Sequence, residues 1–394
     1  MPKLAARLRT LPEYPLATIP QKKRELLARG MDVIDLGAGD ADLAPPAAAV
    51  RALTDAAHNP ALNRYGFGLG YLPFREAVAA WMDRRFGVRV DPLRELVPLI
   101  GSKEGISHLA FAYAEPGSYT IVPEPGYNAY QGGSLLADAA PYRYALRPRT
   151  EFLVDLDEIP PEVLQRTRIL YLNYPNNPTA AIAPREYLER VVARCRELDI
   201  LLVYDNAYSE LAYDGYVPPS IFEIDGAREV AIEFHSLSKT YNMTGWRCGW
   251  AVARPEVCAT LAKVKSFVDT GQFMAVQAAG VAALASWETF VPNNVKTFRE
   301  RRDAAVAAFR EAGFDCAVPR ATMYLWLRLP DEVPSATFAD RLLEDEGVVV
   351  MPGSGFGAGG EGFFRISFIT SPERITLAAR RAGRVLSELS AGVA

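Results

Sequence analysis

The sequence predicts an α/β protein in which a large domain holds a mostly parallel β-sheet and a smaller α+β domain follows it. Strand-like and helix-like segments alternate across residues 95–255, which is typical of a parallel sheet with right-handed crossovers. The run Ile200–Asp205 is apolar until its last residue, as in a strand covered on both faces. At 394 residues, the chain is long enough for two domains.

We divide the chain into an N-terminal arm (residues 1–44) that joins the small domain, a large domain (45–285) and a small C-terminal domain (286–394). Apolar periodicity, prolines and glycines set the elements within these bounds. The predicted helices are 21–29, 72–85, one that follows the Gly101–Gly105 turn and runs through Tyr113, 184–197, 261–267, 287–312 and one beginning at Ser371-Pro372. The predicted strands begin at residue 34 and span 96–100, 119–123, 169–172, 200–205, 229–234, 248–252, 324–329 and 363–368, with an irregular connector at 142–161 and a break at 266–275.

Composition excludes several classes of protein. The net charge of -4 gives no basic field for nucleic acid or an anionic membrane, and no apolar run reaches membrane-spanning length. The basic N-terminus lacks the apolar core of a signal peptide. Four cysteines without paired spacing fit a reducing cytosol, and we therefore expect a cytoplasmic protein. None of the three histidines shares a local cluster with carboxylates, so we expect no metal site.

Two glycine-containing turns follow predicted strands in the first third of the chain. Gly37 and Gly39 permit a close backbone approach, although a plain tight turn explains them equally well. Gly101-Ser102-Lys103 lies between a buried strand and a helix, where free backbone N–H groups and the helix dipole favour an anion. Many α/β proteins turn in this way without a ligand, so this signal alone is moderate.

Polar side chains also follow the middle strands. Tyr127 lies just beyond a Pro/Gly turn, where an aromatic ring suits stacking on a flat ligand ring, although a lone tyrosine is more often core. Asn177 precedes Pro178, so we expect it to be extended with its amide directed inward. Asp205 ends its strand, a ligand position in open α/β sheets, although caps and turns also favour aspartate. There its carboxylate would hold a ring nitrogen of a bound ligand protonated by ion pairing.

The segment Ser236-Leu237-Ser238-Lys239 and Arg247 lie between two apolar strands. A lysine amine forms an imine with an aldehyde, while hydroxyls and a guanidinium neutralise a phosphate, so this pattern suits a phosphorylated aldehyde cofactor. A solvated surface loop is the alternative, but such loops rarely combine these residues. Further on, Arg365 lies mid-strand among apolar residues, where a buried cation is costly without an anion.

The sequence from Glu233 to Arg247 resembles the lysine-bearing motif of class I and II aminotransferases, which use pyridoxal phosphate on the fold-type I scaffold. Gly101-Ser102-Lys103-Glu104-Gly105 and the Asn177-Pro178-Thr179-Ala180 turn are similar to the LL-diaminopimelate branch. The resemblance spans nearly the whole chain. It implies a fold-type I transferase whose large domain has a seven-stranded-type sheet.

The resemblance implies a role for each candidate residue. Lys239 is catalytic, and Gly39, Asn177, Arg365 and, in the arm, Tyr14 contact the substrate, with Arg365 clamping its α-carboxylate. Tyr65 reaches the phosphate of the neighbouring subunit, which implies a homodimer with shared active sites. The residues implied to bind the cofactor are Ser102, Lys103, Tyr127, Asn177, Asp205, Tyr208, Ser236, Ser238, Arg247 and the partner's Tyr65.

The implied activity moves an amino group from LL-diaminopimelate to a 2-oxo acid such as 2-oxoglutarate, in lysine biosynthesis. Other donors stay open, among them N-succinyl-diaminopimelate, aspartate, alanine or an aromatic amino acid, because the motifs contact only the cofactor. Met274 stands where relatives usually have glutamine or asparagine, and a thioether cannot replace an amide's hydrogen bonds. A pyridoxal-phosphate lyase or racemase, and a ligand-sensing regulator, are the remaining alternatives; the regulator would need a DNA-binding module, for which the 30 residues before the fold are too few.

Overall fold

The computed structural model of the chain describes residues 2–12, 19–67 and 70–391. Its helices are α1 Ala6–Arg9, α2 Ile19–Ala28, α3 Ala47–Ala57, α4 Leu72–Phe86, α5 Ser102–Tyr113, α6 Asn128–Leu136, α7 Pro161–Leu164, α8 Arg185–Leu198, α9 Ala227–Val230, α10 Leu237–Thr240, α11 Pro255–Val268, α12 Met274–Ala285, α13 Trp287–Glu311, α14 Ser335–Glu346 and α15 Pro372–Ala391. Its strands are β1 Ile34–Asp35, β2 Leu96–Ile100, β3 Tyr119–Glu124, β4 Ala140–Ala145, β5 Thr167–Leu172, β6 Leu201–Asp205, β7 Ala231–Ser236, β8 Cys248–Ala253, β9 Tyr324–Arg328, β10 Val348–Val349, β11 Met351–Pro352 and β12 Phe363–Ser367.

The large sheet has seven strands in the order β2-β8-β7-β6-β5-β3-β4. Strand β8 runs antiparallel to both of its neighbours, while the pairs among β7, β6, β5, β3 and β4 are parallel. Six strands therefore point the same way, and the mostly parallel sheet predicted from the sequence is confirmed. Their carboxyl ends and the start of β8 meet at one edge.

Strand β6 lies in the middle of the sheet, and both of its faces are covered. Leu202 packs into a core with Leu188 of α8, whereas Val203 enters a second core with Leu109 of α5 and Leu261 of α11. Side chains alternate between faces along a strand, so an apolar run without polar interruptions is what such a position requires.

A smaller antiparallel sheet, in the order β11-β12-β9, lies in the C-terminal part of the chain. The N-terminal strand β1 pairs in parallel with β10, joining Ile34 to Val348. Ile34 shares a core with Phe309 of α13, Phe364 of β12 and Ile375 of α15. The domain bounds given above stay a prediction.

Several predicted elements are confirmed and some bounds are wrong. Strand β2 and helix α13 lie within one residue of their expected positions. Residues 140–145 form edge strand β4, so the irregular connector begins later than expected; an edge strand with half-exposed side chains has no apolar run to reveal it. Helix α11 begins at Pro255 rather than residue 261, and α12 begins at Met274, which shortens the expected break to residues 269–273.

Across residues 2–12, 19–67 and 70–391, no single helix combines the length and the apolar composition needed to cross a membrane. Helices α12 and α13, which meet at 81°, pass such a test only as a bent pair.

Candidate active site

A cavity of about 230 Å³ opens at the edge where the carboxyl ends of the parallel strands meet. It brings together the predicted site residues that the structure describes, apart from Tyr65. The lining contains Gly39, Ser102, Lys103, Tyr127, Asn177, Asp205, Tyr208, Ser236, Ser238, Lys239, Arg247 and Arg365. Four of these side chains are cationic and one is a carboxylate, so the described lining favours anions.

Lys239 lies on the short helix α10, directly after β7. Ser236 caps this helix, because its Oγ accepts a hydrogen bond from the backbone N–H of Ser238 at 3.1 Å. The Lys239 ammonium donates a hydrogen bond to the carbonyl of Gly39. The amine is partly buried and faces the cavity, which suits a nucleophile.

Hydroxyls and a guanidinium converge at the N-terminus of α5. The Oγ atoms of Ser236 and Ser238 are 2.8 Å apart. Gly101 has φ +71°, and the Arg247 guanidinium lies 2.4 Å from the place where a Cβ of that residue would be. Only glycine therefore lets Arg247 approach the free N–H groups beside Ser102. Together these donors form a site suited to an anion such as a phosphate.

Lys103 and Tyr127 form the adjoining wall. The Lys103 ammonium lies 5.8 Å from the centre of the Tyr127 ring. Burial lowers the pKa of Lys103, and the positive charge of Arg247 lowers it further. A bound anion would oppose both effects, so the cation-rich end of the cavity favours the binding of a negative charge.

Asp205 lies at the end of β6 with its two carboxylate oxygens in different surroundings. Oδ2 accepts a hydrogen bond from the Tyr130 hydroxyl at 2.8 Å, whereas Oδ1 is buried and has no hydrogen-bond partner among the described residues. Burial raises the pKa of Asp205 to about 6, against the opposing effects of Tyr130 and His235. A buried acceptor of this kind suits the N–H of a protonated pyridine ring, so the residues fit pyridoxal phosphate.

Arg365 is held mid-strand on β12 by polar and aromatic groups. Its Nη1 donates to Asn177 Oδ1 at 2.7 Å, and its Nη2 donates to the carbonyl of Gly37 at 2.6 Å. Its guanidinium carbon lies 4.2 Å from the centre of the Tyr324 ring and 4.9 Å from that of Phe356. The guanidinium is thus fixed in direction and lines the cavity, as a bidentate carboxylate clamp requires.

Gly39 and Tyr208 both meet Tyr324. The hydroxyls of Tyr208 and Tyr324 are 2.9 Å apart. A Cβ at Gly39 would lie 2.4 Å from the Tyr324 hydroxyl, so any side chain there would displace this pair. The sequence alone did not distinguish a plain tight turn from a close approach at Gly39. The structure shows a close approach of the Gly39 backbone to Tyr324, which requires glycine.

Asn173 and Tyr324 line the cavity and Tyr130 lies beside it, and none of the three was predicted from the sequence. Asn173 donates to the carbonyl of Asp205 and accepts from the N–H of Asn177, at 2.7 and 2.8 Å. Its position just after β5 is a signal that could have identified it. Tyr130 and Tyr324 carry no such signal, since each looks like an ordinary core tyrosine in its own segment.

Tyr65 lies outside this cavity. Its side chain is 73% exposed and borders a surface groove with Phe67, Gln272, Phe273 and Met274. Tyr65 does not line the cavity of its own chain. Its implied role in the site of the neighbouring subunit stays a prediction. Tyr14 lies outside the described residues.

The expectation that no histidine shares a cluster with carboxylates is wrong. His108 Nδ1 lies 2.8 Å from Glu104 Oε1 and 3.8 Å from Asp269 Oδ2. Glu104 and His108 are four residues apart on α5, so the pair was readable from the sequence. The buried Lys265 ammonium bonds the same two carboxylates at 2.7 and 3.1 Å, which places a cation between them.

Comparison with known proteins agrees with this geometry. The family model "Aminotransferase class I and II" matches residues 31–381. An LL-diaminopimelate aminotransferase from Moorella thermoacetica is 46% identical over 385 residues, covering 98% of this chain and 99% of the relative.

Two solved structures have the same fold over nearly their whole length. BacF from Bacillus subtilis aligns with a TM-score of 0.92 at 33% identity, covering 98% of each chain. A probable N-succinyldiaminopimelate aminotransferase from Thermus thermophilus aligns with a TM-score of 0.89 at 38% identity, covering 94% of this chain and 100% of that one. From the family match and the lysine-centred cavity we conclude that the chain belongs to the class I and II aminotransferases, which are pyridoxal-phosphate-dependent transaminases.

Proposed function

We propose that this aminotransferase moves an amino group from LL-diaminopimelate to a 2-oxo acid such as 2-oxoglutarate. The observation that carries the choice of donor is the 46% identity, over nearly the full length of both chains, to a relative of that name. The chemistry of the cavity supports the reaction class, because the Lys239 amine, the buried Asp205 carboxylate and two separate anion sites face the same space.

The phosphate of the cofactor is assigned to Ser102, Ser236, Ser238 and Arg247, with Lys103 beside them. Their hydroxyl, N–H and guanidinium donors surround one end of the cavity. Tyr127 provides a flat aromatic wall. Asp205 provides its Oδ1 as acceptor, and Tyr208 and Asn177 line the same cavity.

When bound, the cofactor supplies an electron sink for the pair released as the substrate's Cα–H bond breaks. Arg365 and Asn177 bind the substrate carboxylate and so orient this bond. Lys239 is the base: its Nζ takes the Cα proton, holds it, and returns it. The carbonyl of Gly39 accepts a hydrogen bond from the same Nζ and keeps the amine directed at the cavity.

We also propose a cytoplasmic homodimer with the predicted domain bounds, in which Tyr65 serves the partner's site. The exposed Tyr65, Phe67 and Phe273 form an apolar surface that a second copy would cover. The cysteines are all unpaired and buried, which supports a reducing compartment.

An aromatic amino acid is a second candidate donor. Phe356 and Met351, both nearly buried, line the cavity beside Arg365 and present apolar atoms to a substrate side chain. Such a surface suits a ring better than a distal ammonium or carboxylate.

Absorbance of the protein loaded with pyridoxal phosphate distinguishes the donors. LL-diaminopimelate, added without a keto acid, should convert the bound cofactor from its aldehyde to its amine form, and Lys239→Arg should abolish this change because a guanidinium cannot replace the amine. Conversion by phenylalanine but not by LL-diaminopimelate would favour the second candidate. Conversion by glutamate alone would leave the transaminase and remove the diaminopimelate assignment.

A further inference from the structure

Tyr130 is buried beside the cavity and touches both groups that we assign to the cofactor ring. Its hydroxyl donates to Asp205 Oδ2 at 2.8 Å. Its ring meets that of Tyr127 edge to face, with centroids 5.7 Å apart, and stacks on Tyr171 at 5.0 Å and 16°. The side chain is 1% exposed, so these contacts leave it a single position.

We infer that Tyr130 is a positioning residue that fixes which oxygen of Asp205 faces the cofactor and keeps that carboxylate ionised. This inference rests on the proposed role of Asp205. With Oδ2 occupied by the phenol, Oδ1 is the oxygen left for the ring N–H. A hydrogen bond from a neutral donor favours the charged form of a buried carboxylate.

The other groups that lower the pKa of Asp205 are two charged side chains and one backbone N–H. His235 on β7 and Lys239 on α10 act on it through their charge, and the backbone N–H of Ala207 also lowers its pKa. Tyr208 is engaged by Tyr324. Burial and the neighbouring carboxylate raise the pKa of Tyr130 well above its usual value, so Tyr130 stays a proton donor throughout the working range of pH.

The test compares the affinity of the apoprotein for pyridoxal phosphate with that for its 1-deaza analogue, in which C–H replaces the ring nitrogen. Both ligands carry the aldehyde and the phosphate, so the contributions of Lys239 and the phosphate site cancel in the ratio of the two dissociation constants. Tyr130→Phe should lower this preference about 10-fold. Without the phenol, Asp205 retains its proton, and a neutral carboxyl discriminates less between N and C–H.

Tyr171→Phe is the matched control, since it removes a hydroxyl from the ring stacked on Tyr130 and should leave the ratio unchanged. A purely structural role for Tyr130 would weaken both ligands equally, and that result, or an unchanged ratio, would overturn the inference. Asp205→Asn distinguishes an error in the role inferred for Tyr130 from an error in the role proposed for Asp205. If Asp205→Asn lowers the preference and Tyr130→Phe does not, Tyr130 is not the positioning residue; if neither lowers it, the proposed role of Asp205 is wrong.

Discussion

Burial makes the ionised form of Asp205 costly in the apoprotein, even with the Tyr130 hydrogen bond in place. Burial raises its pKa from 3.8 to about 6. Between these two values the folded state holds a proton that the unfolded state has released, so the stability contributed by the neutral carboxyl is lost as pH rises through this window. The site therefore gives up stability at neutral pH for a carboxylate that can pair with a cationic ring.

We predict that the free energy of unfolding of the wild-type apoprotein falls by about 1.4 kcal/mol more than that of Asp205→Asn when the pH rises from about 5 to about 8. The measurement is the free energy of unfolding in urea for both proteins at both pH values. Asp225→Asn is the control, because Asp225 is exposed, and its difference from wild type should not follow this course. A difference for Asp205→Asn that is independent of pH would show that its carboxyl is already ionised in the folded apoprotein.

At this scale the sequence identified site residues at or shortly after the end of a strand. Asp205 ends β6, and Ser102, Lys239 and Asn177 lie within five residues after β2, β7 and β5; all four line the cavity. Sequence reasoning failed for Tyr130, whose bond to Asp205 joins positions 75 residues apart, and no local pattern records such a partner.

At the scale of elements, Lys265 of α11 links the first turn of α5 to the loop after α11. Its Nζ donates to Glu104 Oε1 at 2.7 Å and to Asp269 Oδ1 at 3.1 Å. Glu104 also accepts from the N–H of Ile100, and Asp269 from that of Gly271. The ammonium is 1% exposed and the carboxylates about 15%, so water screens these pairs only slightly.

Lys265→Met should lower the free energy of unfolding by about 3 kcal/mol, because it leaves two carboxylates together without their cation. Urea unfolding of the apoprotein measures the loss. Lys263→Met, on an exposed position of the same helix, should change stability little. Equal effects of the two variants would contradict a structural role for the buried ion pairs.

The elements themselves were predictable where their periodicity is strong. Strand β6 and helix α13 carry clear patterns, whereas α12 is apolar on nearly every face and has no period to distinguish it from a strand or a loop. Strand β4 was missed because it lies at the edge of the sheet, where its half-exposed side chains give no apolar run in the sequence.

At the scale of the whole molecule, the proposal that matters most is that each active site uses two chains. Lys239 and Asp205 line the cavity of one chain, whereas Tyr65 lies outside it on an exposed surface. A site built from the Lys239 of one chain and the Tyr65 of the other can be reconstituted from two defective variants.

We predict that Lys239→Ala and Tyr65→Ala, each weakly active alone at limiting pyridoxal phosphate, recover about a quarter of the wild-type activity when unfolded together and refolded as a 1:1 mixture. Half of the dimers would then be mixed, and one of the two sites in each would be intact. Mixing Lys239→Ala with Asp205→Ala should recover no activity, because both residues belong to the same chain's cavity and no combination restores an intact site. Absence of recovery in the first mixture, with mixed dimers demonstrated by a size tag on one variant, would place Tyr65 outside the partner's site.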